Sequence, residues 1–168
     1  MEMLEHFKKR RSIRKFLSKP MEDEKIKKLI EAAIFSPSSK NSQPLKFFVV
    51  KNKELIEELS KARGHANFLK NAPLAIVVTV DETLSTEHFI EDASIAAFAI
   101  LLEASDLGLG ACWSAIYFPD NQAREDYVRD ILRIPKKCRV ICNIGIGYPD
   151  EKPEKKIVKK FEDITKII

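Results

Sequence analysis

The sequence predicts a layered domain of helices packed on a sheet, α+β or α/β in class, on three observations. Short runs dominated by apolar and β-branched residues stand at 46–51 (KFFVVK), 74–80 and 139–146, a composition suited to strands in a buried sheet. Segments of helical period separate them, as at Ile26, Leu29, Ile30, Ala33 and Ile34. Residues 87–107 are apolar nearly all round, which marks a helix covered on most of its faces. Strands and helices alternate irregularly, so both layerings remain open.

Each element has a local reason. Residues 2–9 predict a short helix with Leu4 and Phe7 inward. A second helix follows Pro20 and is stopped by Ser36-Pro37. After the strand at 46–51, Asn52 is placed to cap a helix carrying Leu55, Ile56 and Leu59. The run 74–80 is a buried strand. The helix over 87–107 ends at Gly108, a residue suited to left-handed geometry, and one small domain has little room to cover it, which favours a dimer. A strand at 111–116, a helix at 122–132 behind Asp120 and the strand at 139–146 complete the body, followed by a charged tail from Asp150.

At 168 residues, 45% of them hydrophobic, the chain suits one compact domain. A formal charge of +4, from 29 basic and 25 acidic residues, describes a mixed solvated surface. Sparse aromatic interleaving argues against nucleic acid as a partner. Cys112, Cys138 and Cys142 form no C-x-x-C pair and suggest neither a disulfide framework nor a zinc knuckle. No basic-then-apolar leader opens the chain and no apolar run approaches the ~20 residues of a membrane span. The expected location is the cytoplasm, with no membrane partner. His6, His65 and His88 are scattered, with no i, i+4 metal pair, and no catalytic triad is evident.

Three segments carry possible chemistry. Arg10-Arg11-Ser12-Ile13-Arg14 offers three guanidiniums and a hydroxyl, suited to a phosphate because arginine presents planar paired donors; a solvated helix end is the plainer alternative. The loop from Ser36 to Pro44 gathers hydroxyls and amides able to address a heteroaromatic edge, or is an ordinary polar turn. The stretch from Leu107 to Ile116 combines two glycines, which permit close backbone approach, with Trp113, which could lie against a flat ring or pack in the core. Its GLG follows a helix, so it is not a dinucleotide fingerprint.

Taken together, RRSIRKF, SPSSKNSQPLKFFVV, NAPLAIVV, DLGLGACW and IGIGYPDEKPEKK resemble the nitroreductase family of FMN enzymes over nearly the whole chain. The resemblance implies an α+β fold: a three-layer α/β/α sandwich with a mixed, largely antiparallel central sheet. It also implies an intertwined homodimer with FMN at the subunit interface, formed from one domain over 1–168 whose charged arm is 150–168. Carried over by position, Arg10, Arg11, Ser12 and Arg14 match the first flavin-binding run, with Arg10 and Ser12 on the phosphate side and Arg14 at the pyrimidine edge. Pro37, Ser38, Ser39, Asn41 and Gln43 match the loop that reaches the flavin, largely from the partner subunit. Ser114, Ala115 and Ile116 match the stretch passing N5, and Lys155 and Lys156 fall near the late basic positions that hold the phosphate.

The implied activity is transfer of hydride from NADH or NADPH through FMN N5 to small electron-poor acceptors, nitroaromatics or quinones, by a ping-pong mechanism, with no catalytic side chain required. A flavin-binding carrier or sensor, or a specialised relative with another redox substrate, is the alternative. Three departures bear on the site. Larger members have an acidic residue and a glycine where this chain has Ala115 and Ile116. The segment 81–88 is short, which predicts an open pocket and broad acceptor use. Either His65 or Asn67 stands where larger members contact the pyrimidine edge.

Overall fold

Every residue of strand β2 (Leu74–Asp81) is buried, as its unbroken apolar run predicts, because β2 lies between two other strands and beneath helices on both faces. The computed structural model describes residues 3–85 and 87–168. The other strands are β1 (Leu45–Val50), β3 (Gly110–Ala115) and β4 (Cys138–Gly147), in the order β1-β2-β4-β3. All three neighbouring pairs are antiparallel. Parallel pairing enters only at the rim, in an isolated bridge from Ser12 to Ala111.

Alternation along the strands divides the core between the two faces. On one, Ile76, Val78, Ile144 and Ile146 meet Leu29 and Ala33 of α2 (Asp23–Ile34) and Ala93, Ala96 and Ile100 of α4 (Phe89–Asp106). On the other, Ala75, Val77 and Val140 meet Ile56 and Leu59 of α3 (Lys53–Ser60), Leu69 of a 3-10 segment (Gly64–Asn71) and Val128 of α5 (Ala123–Leu132). The result is the expected three-layer α+β sandwich. Asn52 caps α3, its side-chain oxygen accepting from the Leu55 amide at 2.9 Å. At α5 the side chain that accepts from the first amide is Asn121, at 2.9 Å, rather than Asp120.

A bulge sets the end of β3. The β2–β4 register moves from Val78↔Cys142 to Thr79↔Val140, leaving Ile141 as the extra residue. Its carbonyl accepts from both Ile116 and Tyr117, at 3.0 and 3.1 Å. Strand β3 therefore stops at Ala115, one residue short of the expected boundary. Buried Glu125 ties α5 to β4 through Arg139, at 2.7 and 3.0 Å, and through the Val140 amide at 3.0 Å. These bonds offset the cost of taking its charge out of water.

Two glycines position the rim of the sheet. Gly108 has φ +71°, and the Leu109 amide reaches back to the Ala104 carbonyl at 2.7 Å, a helix stop that only a residue free in the left-handed region makes without strain. At Gly110 an added Cβ would stand 2.6 Å from Ile13 Cβ. The absence of that atom lets residues 10–16 lie along the outer edge of β3, where the Ile13 amide donates to Ala111 O at 3.1 Å.

Helix α1 (Met3–Lys9) was expected from residue 2, which lies outside the described residues, and α4 begins two residues later than expected. The 3-10 segment and the one-turn α6 (Phe161–Ile164) add structure that periodicity did not predict. Helix α4 is covered on most faces, yet Ile95 and Phe98 are 44% and 38% exposed. Phe98 meets Phe7 of α1 with ring centroids 5.7 Å apart, so an apolar face of α1 and α4 is open on this chain.

Candidate functional site

The basic run approaches two cavities. Arg10 and Arg11 line one of about 230 Å³ together with Gly108, Leu109 and Glu151. Arg11 is largely committed to the backbone: it donates to the carbonyls of Lys8, Lys9 and Arg10, and its Nε donates to Glu154 O at 3.2 Å. It thereby satisfies carbonyls at the end of α1 that the helix leaves open. The Arg10 guanidinium has no hydrogen bond or ion pair among the described residues and is the donor free for a ligand.

Among the described residues Glu151 is the only acidic one lining this cavity, and its charge is already engaged. It accepts from the Arg14 amide and from the Lys15 amide at 3.1 Å. The bond from Arg14 holds its carboxyl below the usual carboxylate range. The local balance is positive, as an anionic ligand group requires.

Arg14 lines a second cavity, of about 440 Å³, with Arg63, His65, Phe68, Cys112, Trp113 and Ser114. Burial pushes the Cys112 thiol up, away from the thiolate needed of a nucleophile. Ser114 is buried with no partner for its Oγ, and Asn143, fully buried, has none for either side-chain polar atom. The two stand opposite each other in the β3–β4 register, hence on one face of the sheet, the face that also carries Cys112. Of the two, Ser114 lines the second cavity and Asn143 does not, so it is the unpartnered Ser114 hydroxyl that can meet a hydrogen-bonding group from outside the chain.

The backbone offers a donor at the rim. Ile116 is fully buried and its amide is used by Ile141 O. Ala115 instead turns its carbonyl outward, where Arg63 Nη1 donates to it at 3.4 Å. Because N–H and C=O of one strand residue point the same way, the Ala115 amide also faces out from the edge of the sheet.

The remaining candidates lie apart from these cavities. Pro37, Ser38, Ser39, Asn41 and Gln43 line neither. Their loop is tied to α4 instead, where Asp92 Oδ1 accepts from the Ser39 amide at 2.8 Å. Lys40, Asn41 and Gln43 take positive φ values, folding the loop into a tight polar projection. Lys155 and Lys156 are exposed and line neither cavity. The bond from Arg11 to Glu154 O does bring the preceding backbone to the basic run. Of the two pyrimidine-edge candidates, His65 lines the second cavity and Asn67 does not.

A family model described as the nitroreductase family matches residues 7–64 and 57–148. The chain belongs to the nitroreductase family. Among relatives of this nitroreductase-family chain, proteins of Methanothermobacter thermautotrophicus and Archaeoglobus fulgidus, both provisionally named NADH dehydrogenase/NAD(P)H nitroreductase, are each 37% identical over 155 residues. The match spans 91% and 90% of this chain and 80% and 88% of theirs. A solved structure of an FMN-dependent nitroreductase from Clostridium difficile R20291 is 41% identical, with a TM-score of 0.86, and the match covers 96% of this chain and 94% of that one.

The sequence reading of this nitroreductase-family chain missed Arg63 and Phe68. Both flank or lie in the 3-10 segment, which has neither the 3.6 nor the 2.0 period that betrays an element. The only available signal was compositional, a basic Arg63-Gly64-His65 cluster between a helix and a buried strand. No helix among the described residues is long and apolar enough to cross a membrane.

Proposed function

We propose that this protein is an FMN-dependent oxidoreductase that carries hydride from NADH or NADPH to small electron-poor acceptors, nitroaromatics or quinones, by a ping-pong mechanism. The observation that carries the reading is the placement of Arg10 and Arg14 at two neighbouring cavities, one with a free guanidinium and the other with the unpartnered Ser114 hydroxyl in its lining. That donor set fits a molecule with a phosphate at one end and a flat polar ring at the other. The likeness to proteins named as NAD(P)H nitroreductases, and to an FMN-dependent nitroreductase, supports the cofactor and the reductant in this reading.

Residues of the basic run and of the β3 rim would hold FMN, whose bound ring would supply the hydride chemistry between nicotinamide and acceptor. This chain's residues bind and orient. Arg10 and Ser12 would hold the phosphate, with Arg11 fixing the backbone beside it and Lys155 and Lys156 adding charge from the arm. Arg14 and His65 would address the pyrimidine edge. The fixed Arg14 cation would favour negative charge on a ring held there. Ala115 would supply the outward amide near N5, within the stretch Ser114 to Ile116. Pro37, Ser38, Ser39, Asn41 and Gln43 would come from the partner subunit, which explains why they line neither cavity of their own chain. The functional unit is then a cytoplasmic homodimer, each chain one domain with residues 150–168 as its arm.

The test is an absorption spectrum of the purified protein, chromatographic identification of any chromophore released by acid, and anaerobic addition of NADH or NADPH. Stoichiometric FMN that bleaches, followed by turnover of several nitroarenes and quinones, is the expected result. FMN that stays oxidised would favour a carrier or sensor. A colourless protein that cannot be reconstituted would overturn the assignment.

A further inference from the structure

A further cavity lies elsewhere. It has a volume of about 660 Å³ and shares no lining residue with the two cavities above. It lies between residues 15–21, the start of α3 and the turn entering β2. Five of its fourteen lining residues are lysines, Lys15, Lys19, Lys51, Lys53 and Lys70, against one carboxylate, Asp150.

Two of these lysines are occupied. Lys51 pairs with Asp23, and Lys19 lies 3.8 Å from the Tyr148 ring centroid and 3.6 Å from Glu22. The ammonium groups of Lys53 and Lys70 have no hydrogen bond or ion pair among the described residues, and Lys15 meets Glu151 only through a longer-range attraction. Three exposed lysines thus line one cavity without a hydrogen bond or ion pair among the described residues. The first turn of α3 adds to the positive field, since the Lys53 and Glu54 amides have no acceptor within the helix.

The floor is apolar. Phe16, Met21, Ile56 and Ala72 are buried there, with Pro73 beside them. Lysines are point charges on flexible stems and suit several phosphate oxygens presented in different directions better than one planar carboxylate. An apolar floor of this size suits a flat organic body.

We propose that this cavity is a second ligand site, separate from the flavin region, that takes a nucleotide bearing a di- or triphosphate. Lys15, Lys53 and Lys70 meet the phosphates, and the base lies on the floor made by Phe16, Met21 and Ile56.

The probe is ADP, titrated by calorimetry into the purified chain loaded with FMN. One ADP per chain is expected, with affinity falling as salt rises. Lys53→Gln/Lys70→Gln should weaken ADP at least about tenfold while leaving FMN content unchanged. Lys159→Gln/Lys160→Gln, outside the cavity, should bind as the parent does. Absence of ADP binding at millimolar concentration would overturn the proposal. So would binding that survives the Lys53/Lys70 change but is lost in Arg10→Ala, because ADP would then be using the flavin phosphate region. Pyrophosphate binding as tightly as ADP would remove the base from the floor and overturn the nucleotide assignment.

Discussion

Asp92, buried in the first turn of α4, accepts the Ser39 amide on Oδ1 and the Ser85 hydroxyl on Oδ2, each at 2.8 Å. One carboxylate therefore fixes the polar loop to the long helix. Replacing Asp92 with Ala leaves the half-buried Ser39 amide and the buried Ser85 hydroxyl without that acceptor, a cost of about 1–3 kcal/mol for a buried group left unsatisfied. We expect a lower urea midpoint for Asp92→Ala and faster loss of flavin on dialysis. Asp92→Asn, which keeps one acceptor oxygen, should fall between it and the parent. Flavin retention equal to the parent in a destabilised Asp92→Ala would separate the loop from the site.

Arg10 offers a guanidinium with no competing partner, so its removal costs binding without costing the fold. A charge-assisted hydrogen bond contributes about 1.5–3 kcal/mol, which corresponds to roughly ten- to a hundredfold weaker FMN for Arg10→Ala. Fluorescence titration of the apoprotein would measure it. Parent-like affinity would exclude Arg10 from the phosphate site.

Gly110 is predicted to tolerate no side chain. The added Cβ of Gly110→Ala would collide with Ile13 Cβ, which belongs to a stem and not to a flexible end. The basic run must then shift, and overpacking of this kind costs about 1–3 kcal/mol. Both the melting temperature and flavin content should fall. A fully flavinated Gly110→Ala protein would mean that the run can move without disturbing the site.

Glu151 supplies a pH dependence. Its carboxyl lies below the ordinary value of 4.5 in the folded chain because the Arg14 amide binds the charged form. A depressed folded value stabilises the fold above the unfolded value and loses that contribution as pH falls through the folded one. The urea midpoint of the parent should therefore decline below about pH 4.5 more steeply than that of Glu151→Gln. The two proteins should run parallel above that range. Identical profiles throughout would show that the contact contributes nothing.

The open face of α1 and α4, with Phe7 and Phe98 in contact and exposed Ile95 one helical turn before Phe98, suits a subunit interface. Light scattering of the parent should give a dimer, and Phe98→Glu, which would bury a charge there, should give monomers that lose flavin. A monomeric parent that retains flavin would overturn the composite site.

Much of this structure was legible because regular elements announce themselves through period and composition. The run 74–80 could be read as a buried strand because no polar residue interrupts it before Thr79, and Asn52 could be read as a cap because its offset from Leu55 is fixed by helix geometry. The 3-10 segment gave no such sign. Arg63 and Phe68 consequently went unnoticed, although both line the cavity that Arg14 enters.

Local chemistry in the sequence alone determined that helices layer on a sheet, the stop at Gly108, the basic run and its resemblance to a flavin-binding segment. Tertiary structure decided which residues of each segment are available. Arg11 is spent on helix-end carbonyls while Arg10 stays free, and the Ile116 amide is spent in the sheet while Ala115 faces outward. His65 reaches the cavity and Asn67 does not. The physical reason is that availability depends on which hydrogen bonds the fold has already made, and partners such as Glu154 and Ile141 are distant in sequence, placed beside the site only when the sheet closes.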